Sequence, residues 1–295
     1  MIISIIGPTG VGKTKLSVEL AKRLNGIIIN CDAMQVYKYL DIGTAKIKES
    51  EKEGVPHYLF DFVEPTENYT VFDYQQDARR LIEENKDKTI IFVGGTGLYL
   101  KAALYDYQFQ ELNDTNYDKY SNEELYELVC QINKETDIHI NNRKRMIAYL
   151  KRGGITPKSK ELYKSLYIGL TTERQNLYKI IDDRVLKMFE NGLEEEVRKL
   201  YDKGVHSKAL ETAIGYKELY EYFSGTITKE EAIEKIQKNS RHYAKRQYTF
   251  FNHQLPVKWF NVNYNNFKET INEVYEYVEN NKSTLSLKWT LFRRH

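Results

Sequence analysis

The stretch Gly7-Pro8-Thr9-Gly10-Val11-Gly12-Lys13-Thr14 decides the fold class of this 295-residue chain. It matches the phosphate-loop pattern G-x-x-x-x-G-K-[ST], in which glycines let backbone N–H groups turn towards an anion. The apolar run at 2–6 predicts a strand before the loop, and a helical pattern begins at Lys13. This order indicates a diphosphate or polyphosphate site at a helix N-terminus, with Thr14 able to ligate Mg²⁺. The predicted phosphate ligands are Gly7, Thr9, Gly10, Gly12, Lys13 and Thr14.

Apolar runs bounded by turn residues recur beyond this loop at intervals typical of βα units. Further strands are predicted at 27–31, 89–93, 166–170 and 257–262. Residues 107–164 interrupt this rhythm with a polar, tyrosine-rich segment that predicts only short helices. We therefore expect an α/β fold, a P-loop NTPase-like parallel sheet flanked by helices, with a helical insertion domain. The predicted domains are a catalytic core at 1–106 and 165–281, an insertion at 107–164, and an irregular tail at 282–295.

Composition excludes several classes of protein. Hydrophobic residues make up 41% of the chain and charged residues 29%, which is typical of a globular protein. No run of about 18 apolar residues occurs, so no membrane span is expected. The first residues lack the pattern of a signal peptide, and Cys31 and Cys130 have no metal or disulfide spacing. We expect a cytoplasmic, monomeric protein with reduced thiols.

Charge is unevenly distributed although the net charge is only +2. Residues 111–137 carry eight acidic residues and two lysines, whereas 141–160 carry seven Lys or Arg and no acidic residue. Within the helix predicted at 228–250, Lys238, His242 and Lys245 recur at spacings of three and four. A solvated helix with acids first and bases last would explain this helix alone. Together, the two basic segments favour a track for an RNA backbone.

A second chemical signal follows the second predicted strand, in Asp32-Ala33-Met34-Gln35-Val36-Tyr37. The carboxyl ends of parallel strands are where open α/β sheets bind ligands. Beside a phosphate loop, Asp32 could ligate a metal, accept a proton or cap the N-terminus of a helix. Position alone leaves these three roles open.

Six motifs in the chain resemble, in order, those of the bacterial tRNA dimethylallyltransferase (isopentenyltransferase) family. They are Gly7–Thr14, Asp32–Tyr37, Asp41–Lys46, Gly94–Tyr99, Ile214–Glu218 and Ala244–Thr249. The resemblance implies a prenyltransferase that moves a dimethylallyl group from dimethylallyl diphosphate to the N6 amine of the adenine 3′-adjacent to the anticodon. The substrates would be tRNAs reading codons that begin with U, the by-product diphosphate, and the cofactor Mg²⁺.

The resemblance also implies residue roles. Asp32 would be the general base, Thr96 would lie near the leaving oxygen, and Arg184 would bind the diphosphate. The implied tRNA contacts are Asp32, Ala33, Met34, Gln35, Lys144, Arg145, Thr212, Gly215, Tyr216, Lys217, Lys245, Arg246 and Gln247. Departures from the family pattern, such as Ala33 for a usual Ser and Ala148 for a usual Arg, concern the grip on tRNA rather than the chemistry.

These residue types suit the implied reaction. An exocyclic adenine amine is a poor nucleophile and needs a carboxylate to accept its proton. A departing diphosphate needs cations and N–H donors where its charge develops. The alternatives are a small-molecule or nucleotide P-loop kinase, an adenylate isopentenyltransferase, and a non-catalytic RNA-binding module.

Overall fold

A computed structural model describes residues 1–109, 113–153 and 160–289. Its strands are β1 (Ile2–Ile6), β2 (Gly26–Asn30), β3 (His57–Tyr58), β4 (Thr89–Val93), β5 (Ser165–Thr171) and β6 (Lys258–Asn261). Its α-helices are α1 (Lys13–Leu24), α2 (Val71–Glu84), α3 (Gly97–Leu104), α4 (Asn122–Ile132), α5 (Arg143–Lys151), α6 (Arg174–Glu190), α7 (Leu193–Asp202), α8 (Lys208–Thr212), α9 (Tyr216–Phe223), α10 (Lys229–Gln254) and α11 (Phe267–Trp289). None of these helices is both long and apolar enough to cross a bilayer.

The strands form one parallel sheet in the order β3-β2-β4-β1-β5-β6. Every residue of β1 and β2 is buried, as expected for isoleucine-rich strands covered on both faces. Ile5 lies in register with Val93 on one side and Ile168 on the other. This register brings the carboxyl ends of β1, β2 and β4 to one edge of the sheet. The predicted α/β class with a parallel sheet flanked by helices is confirmed.

Close backbone approach at the end of β4 shapes that edge. A Cβ atom on Gly94 would lie 2.2 Å from the carbonyl carbon of Cys31, so only glycine fits there. The backbone N–H of Cys31 donates to the carbonyl oxygen of Val93 (2.7 Å), and the N–H of Thr96 donates to the carbonyl oxygen of Cys31 (2.9 Å). These bonds place Thr96 beside the residues that follow β2.

The phosphate loop is packed against the first residue of α11. Gly12 has a φ of 89°. A Cβ atom on Gly12 would lie 2.6 Å from the ring of Phe267, the first residue of α11. The ammonium group of Lys15 lies 5.3 Å from the centroid of the same ring. The start of α11 therefore packs against the phosphate loop and supports it.

The chain divides into two compact units, one formed by 1–104 with 163–295 and the other by Tyr105–Leu162. The second unit has a small core of its own, in which Leu125 and Val129 of α4 pack with Met146 and Leu150 of α5. The predicted insertion, 107–164, differs from this unit by two residues at each end. Its residues 110–112 and 154–159 lie outside the described residues.

Other predicted boundaries need correction. The helical pattern of the sequence at 208–223 predicts one helix, but the structure breaks it at Gly215 (φ 97°) into α8 and α9. The sequence analysis also missed β3 and α7. The irregular tail predicted at 282–295 is wrong as far as Trp289, because α11 continues to that residue. No glycine or proline follows Asn281, so the sequence has no strong stop signal there. Residues 290–295 lie outside the described residues.

Candidate active site

A cavity of about 960 Å³ lies in the larger unit, where the loops after β1, β2 and β4 meet α6, α9 and α10. Most of the residues predicted from the sequence line it. They are Thr9, Gly10, Gly12, Lys13, Thr14, Asp32, Ala33, Met34, Gln35, Thr96, Arg184, Thr212, Gly215, Lys217, Arg246 and Gln247. Gly7, Tyr216 and Lys245 belong to the same unit but do not line the cavity.

Two basic side chains, Lys13 and Arg184, line the cavity and interact electrostatically. The Lys13 ammonium donates to the carbonyl oxygen of Pro8 (2.6 Å). Burial lowers the pKa of Lys13 to about 7; the nearby positive charge of Arg184 also lowers it, whereas Asp32 raises it. Burial likewise lowers the pKa of Arg184, which lies on α6. A pKa near 7 leaves Lys13 partly neutral in the protein without ligand, and a bound anion would favour its charged form beside Arg184.

Asp32 lies within electrostatic reach of both cations. Burial raises the pKa of Asp32, opposed by the N–H of Met34 and by the charges of Lys13 and Arg184. Its Oδ1 accepts a hydrogen bond from the Met34 N–H (3.0 Å), so the carboxylate also caps the turn that follows β2. Capping uses one of its two oxygens. A carboxylate with a raised pKa is a stronger proton acceptor, and capping and base catalysis are compatible here.

The backbone of Asp32 is fixed by the buried side chain of Asn30. Asn30 Nδ2 donates to the carbonyl oxygens of Asp32 and Leu59, both at 2.9 Å, and its Oδ1 accepts the Asp32 N–H at 2.9 Å. This side chain therefore grips the peptide groups on both sides of the Asp32 Cα. The sequence reasoning did not single out Asn30, since only its position at the end of β2 signals such a role.

Thr96 and a tyrosine from α10 add hydroxyl groups beside Asp32. The Thr96 Oγ1 accepts the Ala33 N–H (3.0 Å). Burial raises the pKa of Tyr243 further above its usual range, as does the charge of Asp32, while polar contacts with Thr96 and Gln247 oppose this. The sequence reasoning missed Tyr243, although it lies one helical turn before Gln247 and so faces the same side of α10.

Gln247 of α10 also lines the cavity. Its Nε2 donates to the carbonyl oxygen of Gly95 (3.0 Å), and the residue is 5% exposed. Among the described residues its Oε1 is buried and has no hydrogen-bond partner. A buried acceptor without a partner is costly unless a ligand donates to it. The resemblance had implied that Gln247 contacts tRNA, and this remains a prediction.

The predicted contact of the Tyr216 side chain is corrected by the structure, whereas the phosphate contact of Gly7 stays a prediction. Tyr216 is fully buried, and its hydroxyl donates to Glu196 (2.5 Å), so its side chain is not available to RNA as predicted. Gly7 lies outside the cavity, where a Cβ atom would be 2.5 Å from the carbonyl oxygen of Leu170. A glycine is needed at this position because the neighbouring strand β5 leaves no room for a side chain.

The remaining predicted tRNA contacts are surface cations. Lys245 and Arg246 are exposed on α10, with the Arg246 guanidinium 5.6 Å from the centroid of the Tyr243 ring. In the smaller unit, Arg145 donates twice to Asp137, at 2.9 and 2.8 Å. Lys144 lies at the start of α5. Their binding of RNA stays a prediction.

Comparisons with known proteins agree with this geometry. The sequence model of the IPP transferase family matches residues 35–254. A tRNA dimethylallyltransferase of Anoxybacillus flavithermus is 47% identical over 94% of this chain and 96% of its own length. The crystal structure of the full-length tRNA isopentenylpyrophosphate transferase from Bacillus halodurans superposes with a TM-score of 0.77, at 39% identity over 99% of both chains. A eukaryotic dimethylallyltransferase solved acting on tRNA gives a TM-score of 0.72, at 26% identity over 88% of this chain and 73% of that one. Since the family model and the near full-length relatives agree, this chain belongs to the IPP transferase family, whose members include the tRNA dimethylallyltransferases.

Proposed function

We propose that the protein transfers a dimethylallyl group from dimethylallyl diphosphate to the N6 amine of the adenine 3′-adjacent to the anticodon. The substrates are tRNAs that read codons beginning with U, and diphosphate is released. One observation carries the proposal: a carboxylate of raised pKa, Asp32, shares one cavity with the cations Lys13 and Arg184. The names of the relatives support the same reaction.

The bond changes follow from this arrangement. The N6 lone pair forms a bond to C1 of the dimethylallyl group, the C1–O bond breaks, and its electron pair leaves with the diphosphate. Asp32 accepts the N6 proton as the new bond forms. Lys13, Arg184 and the loop N–H groups stabilise the negative charge that develops on the departing oxygens. The Thr96 hydroxyl, whose oxygen already accepts the Ala33 N–H, can donate a hydrogen bond to the same oxygens.

Mg²⁺ is part of the proposal, with Thr14 as its protein ligand. The described residues contain no group of three His, Cys, Asp or Glu side chains arranged to hold a metal ion. A single hydroxyl ligand from the protein is compatible with Mg²⁺, because this ion commonly takes most of its ligands from substrate phosphates and water. Thr14 is exposed at the first turn of α1 and lines the cavity, so its hydroxyl is accessible to such an ion. When bound, the ion would neutralise charge on the diphosphate.

The tRNA part of the proposal rests on the cavity and on α10. A base stacked in an RNA loop reaches Asp32 only when it is flipped out, at a cost of about a few kcal/mol. The exposed cations Lys238, Lys245 and Arg246 follow the helix that also carries Tyr243 into the cavity. We assign the smaller helical unit to the binding of the anticodon stem, and place a monomeric enzyme in the cytoplasm, where it meets its tRNA.

A P-loop kinase is the main competing function. In P-loop NTPases an acidic residue at the end of a neighbouring strand holds the magnesium ion. Here β4 ends in Gly94-Gly95, and the acidic residue at the sheet edge, Asp32, caps a turn beside the cavity. An adenylate isopentenyltransferase would use the same core, but it would not need the exposed basic residues of α10.

One experiment separates these functions. Dimethylallyl diphosphate and Mg²⁺ are incubated with the protein and with unmodified tRNA, AMP or ATP in separate reactions, and released diphosphate and prenylated product are quantified. We expect equal amounts of diphosphate and prenylated RNA, with tRNA only. Product from AMP or ATP would favour the adenylate enzyme, and ADP release from ATP stimulated by a small acceptor would favour a kinase.

A further inference from the structure

The carboxylate of Glu196 holds the loop that follows the Asp32 motif. Its Oε2 accepts the N–H groups of Asp41 (3.1 Å) and Ile42 (2.8 Å). Its Oε1 accepts the N–H of Gly43 (3.1 Å) and the hydroxyl of Tyr216 (2.5 Å). An ionised carboxylate has about four acceptor positions, so this one is fully used. Because three consecutive N–H groups converge on it, the loop 41–43 has little freedom to reorganise.

The same loop holds the side chain of Gln35. Gln35 Nε2 donates to the carbonyl oxygens of Thr44 (2.9 Å) and Ala45 (3.3 Å). The loop is closed on itself by two further hydrogen bonds. The Thr44 hydroxyl donates to the carbonyl oxygen of Leu40 (2.6 Å), and the backbone N–H of Lys46 donates to the carbonyl oxygen of Asp41 (2.9 Å). Glu196 binds the N–H side of this turn, and Gln35 binds its carbonyl side.

These contacts fix the orientation of the Gln35 amide. Carbonyl oxygens only accept hydrogen bonds, so the nitrogen, and not the oxygen, must face Thr44 and Ala45. Both hydrogens of the amide are then used within the protein. Gln35 lines the cavity, and its Oε1 is the amide atom left for a ligand there. It can only accept a hydrogen bond.

We propose that Glu196 is a positioning residue: by fixing the loop 41–45 it presents the Gln35 oxygen to the RNA substrate as an acceptor. Gln35 then selects a nucleobase edge that carries an N–H donor, such as an exocyclic amine. The inference rests on the proposed function, since it assumes an RNA substrate in this cavity. Glu196 itself does not line the cavity, so it acts through the loop and is not a catalytic residue.

Glu196→Gln tests this inference with little change in volume. The amide offers one acceptor oxygen in place of two, so some of the four donors would face an NH₂ group. Glu195→Gln is the matched control. Glu195 is exposed in the same first turn of α7, and its substitution removes the same charge. Initial rates of prenyl transfer to an anticodon stem-loop RNA are measured while RNA and dimethylallyl diphosphate are varied in turn.

We expect Glu196→Gln to raise the KM for RNA about ten-fold, the effect of one lost hydrogen bond, and to leave the KM for the diphosphate within about two-fold. Glu195→Gln should change neither constant. A parallel rise in both constants, or no rise in either, would overturn the inference. A wild-type protein that prenylates no RNA would instead refute the proposed function, so the two failures are distinct.

A double-mutant cycle with Gln35→Met tests whether Glu196 acts through Gln35, and Tyr216→Phe covers the case in which Glu196→Gln folds poorly. Methionine keeps the length of the side chain but removes the amide. If Glu196 acts through Gln35, the double variant should have the same KM for RNA as Gln35→Met alone, because the acceptor is already lost. Effects that multiply would show that Glu196 acts independently of Gln35 and would overturn the inference. Tyr216→Phe, which removes a single donor to Glu196 and keeps the buried ring, should raise the KM for RNA less than Glu196→Gln does.

Discussion

The protonation of Lys13 should change when the diphosphate binds. In the empty site burial lowers the pKa of Lys13 to about 7, from an ordinary value of 10.5, and the charge of Arg184 acts in the same direction. A bound diphosphate places several negative charges beside the ammonium group and favours its charged form. We therefore expect the pKa of Lys13 to rise back towards its ordinary value, so that binding takes up a proton.

The size of this uptake follows from the pKa and its sign. At about pH 8, one unit above the pKa, roughly 0.1 of Lys13 is protonated in the protein without ligand. Nearly all of it would be protonated in the complex, so binding takes up ~0.9 proton. At about pH 6 roughly 0.9 is already protonated, and the uptake falls to ~0.1. Because the pKa is lowered in the empty protein, uptake must grow as the pH rises through 7.

Isothermal titration calorimetry measures the uptake directly. Dimethylallyl diphosphate is titrated into the protein without RNA, in buffers of different ionisation enthalpy, and the dependence of the observed enthalpy on that quantity gives the number of protons. Lys13→Arg is the control, since an arginine stays charged over this range and cannot take up the proton. Protons exchanged by the ligand itself appear in both titrations and cancel in their difference.

Equal proton numbers for wild type and Lys13→Arg near pH 8 would refute the reasoning. They would mean that Lys13 is already charged in the empty site, and that the nearby Asp32 outweighs burial and Arg184. A wild-type uptake that does not fall between about pH 8 and about pH 6 would have the same meaning.

Three further outcomes are expected. Asp32→Asn should lower the single-turnover rate of prenyl transfer by roughly 10²–10⁴ and leave RNA affinity within a few-fold in filter binding, because a base is lost and a capping oxygen is kept; near-normal rates would leave Asp32 with capping alone. Tyr243→Phe should lower the single-turnover rate about ten-fold with both KM values nearly unchanged, since the hydroxyl beside Thr96 is lost and the ring stays; an unaltered rate would mean that Tyr243 only packs. Lys238→Gln and Lys245→Gln should each reduce the slope of log affinity for a labelled anticodon stem-loop against log salt by ~0.7–0.9, as read by fluorescence anisotropy; unchanged slopes would move the RNA track away from α10.

The local parts of this protein could be predicted from its sequence. The phosphate loop, the strand before it and the helix after it depend on neighbouring residues, because glycine spacing and hydrophobic periodicity act over a few positions. Asp32 could be placed at the sheet edge for the same reason, since a residue after a buried parallel strand lies at its carboxyl end. A family resemblance added Thr96 and Arg184, which line the same cavity in the structure.

Tertiary structure decided what surrounds those residues. Tyr216 belongs to a motif that the resemblance assigned to tRNA, yet it is buried against Glu196, which precedes it by 20 residues. Tyr243 reaches Thr96 from a helix 147 positions further along the chain, and no local pattern announces that contact. Burial, and with it the pKa of Lys13, depends on which distant segments exclude water from a side chain, whereas sequence periodicity reports only which face of its own element a residue occupies.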